Sequence, residues 1–253
     1  MNVVAVGQVV TSKSSVYQVG DLVMGMLRWI AYAVHDEAPT DGGPPLTKLD
    51  PMPGFSLSVY LGAFGWPGLT AYFGLHDILK FRKSESIVVA VGNMVVQYAK
   101  NVISAGKVVA IAGSKEKCEW LKTIGADIAV NYEVADFKQQ LNAATDGFVD
   151  AYFDNVGLTP SPAYNYLDET RFPNYSQIIT SRLNLQGFIV LDNMPRFPEG
   201  MAALTTAVKE RKLVIKDEET LVRTTFEEIP KTWGMLFEGG NTGKLITQVG
   251  ELD

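Results

Sequence analysis

The sequence predicts an α/β protein: a doubly wound, mostly parallel sheet with helices on both faces, accompanied by a β-rich first third. Three observations point to it. From Ser86 onward, short continuous apolar runs alternate with segments of helical periodicity. Two of the runs, Ile87-Val88-Val89-Ala90-Val91 and Lys107 to Ala112, are each followed by a helical pattern, as parallel strands buried on both faces require. Before about residue 82 that rhythm is absent, and branched and aromatic residues are broken by clusters of Pro, Gly and Asp.

In chain order, Val3 to Val10 reads as a strand, and Leu22 to Val34 carries aromatic and branched residues. Asp36 to Gly54 is dense in residues that end regular structure. From Leu69 to Leu79 the spacing places Leu69, Tyr72, Phe73, His76 and Leu79 on one helical face. After the strand ending at Val91, Gly92 makes the turn and Met94 to Ala105 is helical. Ser114 is an N-cap for a helix reaching Ile124, and Gly125 supplies its stop. Ile128 to Tyr132, a helix near Ala135 to Ala144 and a strand from Val149 to Asp154 extend this β-α-β unit. Such a Rossmann-type arrangement places ligands at the carboxyl ends of the strands. Gly157 to Pro173 reads as loop, Ile178 to Phe188 as a short helix, Ile189-Val190-Leu191 as a strand, Met201 to Arg211 as a helix and Lys244 to Val249 as a strand. The expected division is 1–82 with 213–253 as one domain and 83–212 as the nucleotide-binding one.

Composition removes several function classes. The 253 residues are 47% hydrophobic and 20% charged, an ordinary globular balance. With 22 basic against 28 acidic residues the net charge is −6, so no basic field draws a nucleic-acid backbone or an anionic membrane surface. Cys118 is the single cysteine, and with only His35 and His76 beside it no zinc spacing can be assembled; the expectation is metal-free. No apolar run approaches the ~20 residues of a membrane span and no basic segment opens the chain, so a cytoplasmic location is expected. The nucleophile elbow G-x-S-x-G is absent, and none of the ten tyrosines has a lysine four positions on. Gly239 to Lys244 imitates a phosphate loop, yet the first required glycine position is Glu238 and Leu245 follows the lysine.

Dinucleotide chemistry remains. It needs a glycine at the strand-to-helix turn so that a pyrophosphate can approach main-chain N–H groups, and Gly92 stands there alone. The second strand ends Ala112-Gly113-Ser114-Lys115-Glu116-Lys117, without the acidic residue at the strand end that holds an NAD ribose and with hydroxyl and ammonium groups suited to a 2′-phosphate. NADP is therefore favoured over NAD. Both features also have a plain structural reading, a tight turn at Gly92 and a helix capped by Ser114 with solvated lysines.

Four segments in combination are recognisable: Gly65-Trp66-Pro67-Gly68-Leu69-Thr70-Ala71-Tyr72-Phe73-Gly74, Ala112-Gly113-Ser114, Phe153-Asp154-Asn155-Val156-Gly157 and Gly239-Gly240-Asn241-Thr242-Gly243-Lys244. Together they resemble the zinc-free medium-chain dehydrogenases/reductases of the prostaglandin reductase, leukotriene B4 dehydrogenase and curcumin reductase group, over most of the chain. The resemblance implies a portion of a GroES-like barrel beside the Rossmann-type sheet. It implies NADPH-dependent reduction of a carbon–carbon double bond conjugated to a ketone or aldehyde, a small apolar substrate and a homodimer. Residue by residue, it implies that Ser114 and Lys117 hold the 2′-phosphate beside Gly113, that Tyr132 and Asn155 contact the cofactor, and that Asn241 lies beside the nicotinamide. Tyr164 matches the tyrosine whose hydroxyl stabilises the enolate. Each has a plainer alternative: a strand-end turn for Asn155, core packing for Tyr132, a glycine-rich turn for Asn241 and a surface aromatic for Tyr164. Cys118 and His76 read as packing residues.

Three departures from the family pattern shape the expectation. The chain starts where the barrel is already partly built. The glycine-rich phosphate turn is shortened to Ala90-Val91-Gly92, which predicts weaker NADPH binding. Only Leu158 to Ala163 stands where the family has a helix and its fifth sheet strand, so the sheet is expected to lack one strand. An alternative to the reductase is a non-catalytic remnant serving as a binding or assembly module.

Overall fold

A computed structural model describes residues 2–37, 45–90, 92–155, 176–215, 219–238, 240–241 and 243–250. The chain divides into two compact units, residues 1–67 with 215–253, and residues 68–214.

In the first unit β1 (Asn2–Gln8) pairs antiparallel with β2 (Leu22–Arg28), Asn2 opposite Arg28 and Gln8 opposite Leu22. The two-residue strand β3 (Thr47–Lys48) adds to the other side of β2. A short 3-10 turn, Leu57–Tyr60, carries Val59 and Tyr60 inward, and the rings of Phe55 and Tyr60 close on the buried Phe64.

The second unit holds the sheet that the apolar runs predict. Strands β4 (Ser86–Ala90), β5 (Lys107–Ala112), β6 (Ile128–Asn131) and β7 (Ala151–Asp154) run parallel in the order β6-β5-β4-β7. Ile87, Val89, Val108 and Val109 are at most 1% exposed, so both faces of the central pair are covered and the runs carry no polar alternation. Acidic groups set the register at the amino ends: the Asp150 carboxylate accepts from the Ser86 N–H and hydroxyl, each at 2.7 Å, and Asp127 accepts from the Val108 N–H at 2.7 Å.

Helices α1 (Trp66–Phe73), α2 (Asn93–Gln97), α3 (Lys115–Thr123) and α4 (Phe137–Thr145) flank these strands in sequence. α1 and α2 both continue into single π turns, Gly74–Ile78 and Tyr98–Ile103, where the sequence predicts uninterrupted helices. α5 (Ser176–Thr180) and α6 (Phe197–Lys209) follow. Cys118 is a packing residue as expected, and burial pushes its thiol up; His76 remains exposed, its imidazole 3.3 Å from the Tyr98 hydroxyl, and partial desolvation pulls its pKa down. Gln97, fully buried, exchanges two hydrogen bonds with the main chain of Val214, at 3.1 and 2.8 Å, which ties the end of this unit to the helix after β4.

One expected strand is not formed. Residues Val190–Arg196 make a 3-10 turn leading into α6 instead of continuing a strand from Ile189. Ile189 is 63% exposed, so an extended segment here would cover no core, and Asp192, Asn193 and Pro195 each favour a turn. Among the described residues the parallel sheet has four strands.

In the first unit, α7 (Ile229–Gly234) lies between β8 (Glu219–Arg223) and β9 (Lys244–Gln248), which pair parallel. Glu219 is the anomaly of this pair. Its carboxyl packs against Gly62, accepts from the Ser58 hydroxyl, and has one buried oxygen, Oε1, with no hydrogen-bond partner among the described residues. Burial pushes its pKa up and the Ser58 bond only partly opposes this. The folded chain therefore holds this proton more tightly than the unfolded chain, and stability falls as pH rises from the ordinary glutamate value through the folded one. Glu219→Gln removes the charge that burial penalises, and is expected to raise stability at pH 7 by about 1 kcal/mol, the order of one pKa unit. Thermal melts across pH check it, because the difference from wild type must shrink toward pH 4.

Candidate functional site

In a parallel sheet the crossover helices all leave from one edge, so the residues that follow each strand collect there. Here the carboxyl ends are level: Ala90 lies opposite Ile111 and Asp154, and Ala112 opposite Asn131. Six of the residues singled out in the sequence follow these ends.

Gly92 sits between Ala90 and the first residue of α2 with φ +154°, a conformation that side chains disfavour. A Cβ there would stand 3.2 Å from the Val95 side chain, and the Gly92 carbonyl accepts the Val96 N–H at 3.0 Å to start the helix. With no side chain to cap it, the opening turn leaves its first N–H groups at the sheet edge. Asn155 follows β7, and its main-chain N–H reaches the Ala90 carbonyl at 3.3 Å, bringing it beside the same turn.

Gly113, Ser114, Lys117 and Tyr132 form a second group at the ends of β5 and β6. The Tyr132 N–H donates to the Ala112 carbonyl at 3.0 Å, and its ring folds over Gly113 so closely that a Cβ at 113 would lie 2.6 Å from the tyrosine oxygen. Tyr132 is 38% exposed, a wall of the edge and not a core residue. Ser114 caps α3: its hydroxyl oxygen accepts the Lys117 N–H at 3.2 Å.

Glu116, which sequence reasoning passes over, belongs to this group. Its carboxylate accepts from its own main-chain N–H and from the Ser114 hydroxyl, with Lys115 adjacent, and these hold its pKa below the usual range. The signal was available as an acid in the first turn of a serine-capped helix.

Asn241 belongs to the other unit, where its side-chain NH2 donates to the Gly243 carbonyl at 2.7 Å and closes the glycine-rich turn. Tyr164 lies outside the described residues.

The donor set fits NADP. The end of β5 carries glycine, a hydroxyl and lysines where a ribose with a free 2′-hydroxyl would need a carboxylate, and the strand-to-helix turn has a glycine whose Cβ would intrude. Among the described residues no group of three His, Cys, Asp or Glu side chains is arranged to hold a metal, and no helix is long and apolar enough to cross a membrane.

A family profile described as zinc-binding dehydrogenase matches residues 90–171. Rat prostaglandin reductase 1 is 32% identical over 275 aligned positions, covering 96% of this chain and 79% of the relative. That alignment is longer than the whole chain of 253 residues, so the relative has internal residues with no counterpart here. The NADP(+)-dependent 2-alkenal reductase of tobacco is 32% identical over 273 positions, covering 96% of this chain and 76% of the relative. Among solved structures, CurA of Vibrio vulnificus in complex with NADPH superposes with a TM-score of 0.83 at 30% identity, over 97% of this chain and 80% of CurA. The chain belongs to the zinc-free medium-chain dehydrogenases/reductases, in the group of the prostaglandin and alkenal reductases.

Proposed function

We propose that the chain is an NADPH-dependent reductase of the carbon–carbon double bond of small, apolar α,β-unsaturated ketones and aldehydes. The carrying observation is the pair of groups on one sheet edge, Gly92 with Asn155 and Gly113 with Ser114, Lys117 and Tyr132, in a chain related to an NADP(+)-dependent 2-alkenal reductase. When bound, NADPH supplies a hydride to the β-carbon of the conjugated bond.

In this reading the residues of the chain bind and orient. Lys117 and Ser114 hold the 2′-phosphate, the ammonium as a charged donor and the hydroxyl as a short one. Tyr132 lies along the adenosine end, Gly92 lets the pyrophosphate approach the start of α2, and Asn155 lines the path between them. Asn241 lies beside the nicotinamide. Tyr164 donates its hydroxyl hydrogen to the carbonyl oxygen as negative charge develops there, the role of an oxyanion donor. The reaction takes place in the cytoplasm, where Cys118 stays reduced, and the working form is a homodimer, which light scattering on the purified chain checks.

Loss of NADPH absorbance on addition of a simple enal tests the activity, and the expected result is turnover with NADPH that the buffer alone does not give. No turnover, together with no NADPH binding by calorimetry, rejects the reading and leaves the non-catalytic module. Lys117→Ala is expected to weaken NADPH binding about ten- to a hundredfold, the worth of one charged hydrogen bond, while NADH binding stays within about twofold. Equal losses for the two cofactors would remove Lys117 from the phosphate site.

The Gly113–Tyr132 approach gives an independent check. Gly113→Ala must push the exposed Tyr132 ring aside, so NADPH affinity is expected to fall more than thermal stability does. In a Tyr132→Ala background the same substitution should have little further effect, a coupling of about 1 kcal/mol in a double-mutant cycle of NADPH dissociation constants. Additive losses would show that the ring and the glycine act separately.

A further inference from the structure

We propose that the open faces of Trp233 and Phe237 receive the hydrocarbon tail of the substrate, so that these two rings set which chain lengths the reductase takes. This rests on the reading above, in which Asn241 lies beside the nicotinamide, and adds to it the residues that grip the part of the substrate that does not react.

The two rings stand where the core has no use for them. α7 buries Ile229 and Thr232, and its other side chains stay nearer the surface. The chain then tightens: the Met235, Leu236 and Phe237 N–H groups donate to the carbonyls of Thr232, Trp233 and Gly234, at 3.1, 3.1 and 3.0 Å. That winding sets Phe237 one turn beyond Trp233, with ring centroids 6.1 Å apart and planes at 66°. In the other ring pairs of this unit, among the described residues, one partner is the buried Phe64. Here Trp233 stays 46% exposed, Phe237 63% and the neighbouring Leu236 43%. Large apolar side chains left open together mark a surface that takes up an apolar ligand or partner.

The same turn favours the ligand. The Gly240 N–H comes back to the Met235 carbonyl at 3.0 Å, closing a loop that carries Phe237. Asn241 follows at once, its NH2 held on the Gly243 carbonyl at 2.7 Å. The two rings and the asparagine are thus parts of one short, closed stretch of chain. A conjugated aldehyde that presents its β-carbon to the nicotinamide has only its alkyl end left to place. Apolar rings suit that end, because they bring no donor or acceptor that the tail would leave unsatisfied.

The test is kcat/KM for 2-butenal, 2-hexenal and 2-nonenal with the full chain. Wild type is expected to gain about two- to fourfold per added methylene, the worth of a methylene leaving water in part or in full. The gain should sit mainly in KM, since a tail remote from the reacting bond is bound equally in the ground and transition states. Phe237→Ala and Trp233→Ala are each expected to lower kcat/KM for 2-nonenal about tenfold, while 2-butenal turnover and NADPH affinity stay within about twofold. Phe148→Ala, which removes a ring 69% exposed ahead of β7, should keep the wild-type dependence on chain length. An unchanged dependence in both ring variants overturns the proposal and leaves the reductase reading standing. An equal loss in Phe148→Ala does the same. So does an unchanged dependence in variants whose dimer falls to monomer in light scattering, which gives the rings to a second copy. No turnover of any enal and no NADPH binding by any form overturns both.

Discussion

The constraint on which this structure depends is the burial of a parallel sheet on both faces. Val88, Val89, Val108 and Val109 can lie between two helical layers only if each strand is followed by a crossover, and every crossover starts at the same edge. The level ends at Ala90, Ala112, Asn131 and Asp154 follow from the register of those pairs. Gly92, Ser114, Tyr132 and Asn155 are far apart in the chain and side by side on the sheet edge for that reason alone.

The two edges of the sheet are treated in opposite ways. At the amino edge acids grip strand starts: Asp150 holds Ser86, Asp127 holds Val108 and the Lys100 ammonium, and Asp146 pairs with Lys107. These contacts satisfy N–H groups that have no strand partner and fix where each strand begins. At the carboxyl edge of β5, glycine, a hydroxyl and lysines replace carboxylates, and the acid that does occur, Glu116, is turned onto Ser114. The carboxyl end of β5 therefore presents donors.

Much of this was legible because both signals are local. Continuous apolar runs gave β4 and β5, and the Ser114 cap with Gly125 beyond it framed α3, all of which the structure shows within a few residues. The misreading at Ile189-Val190-Leu191 came from the same rule: three apolar residues look like a strand until the absence of surface to bury is known, and Ile189 stays 63% exposed. The π turns in the helices at Gly74 and Tyr98 leave no mark in a 3.6-residue pattern, and we have no physical account of them. In the site, residue types at strand ends were readable, whereas the fold of the Tyr132 ring over Gly113 depends on a distance between neighbours that a sequence does not give.

The two connections at the sheet edge also differ in what they can offer a dinucleotide. β4 passes into α2 through Val91 and Gly92 alone, a shorter turn than the glycine-rich one of the family, and α2 has no side-chain cap. β5 passes into α3 through Gly113 and Ser114, with a capping hydroxyl, Lys117 on the first turn and Tyr132 against the glycine. Backbone donors for a pyrophosphate are few on the first path, and side-chain donors for a 2′-phosphate are concentrated on the second.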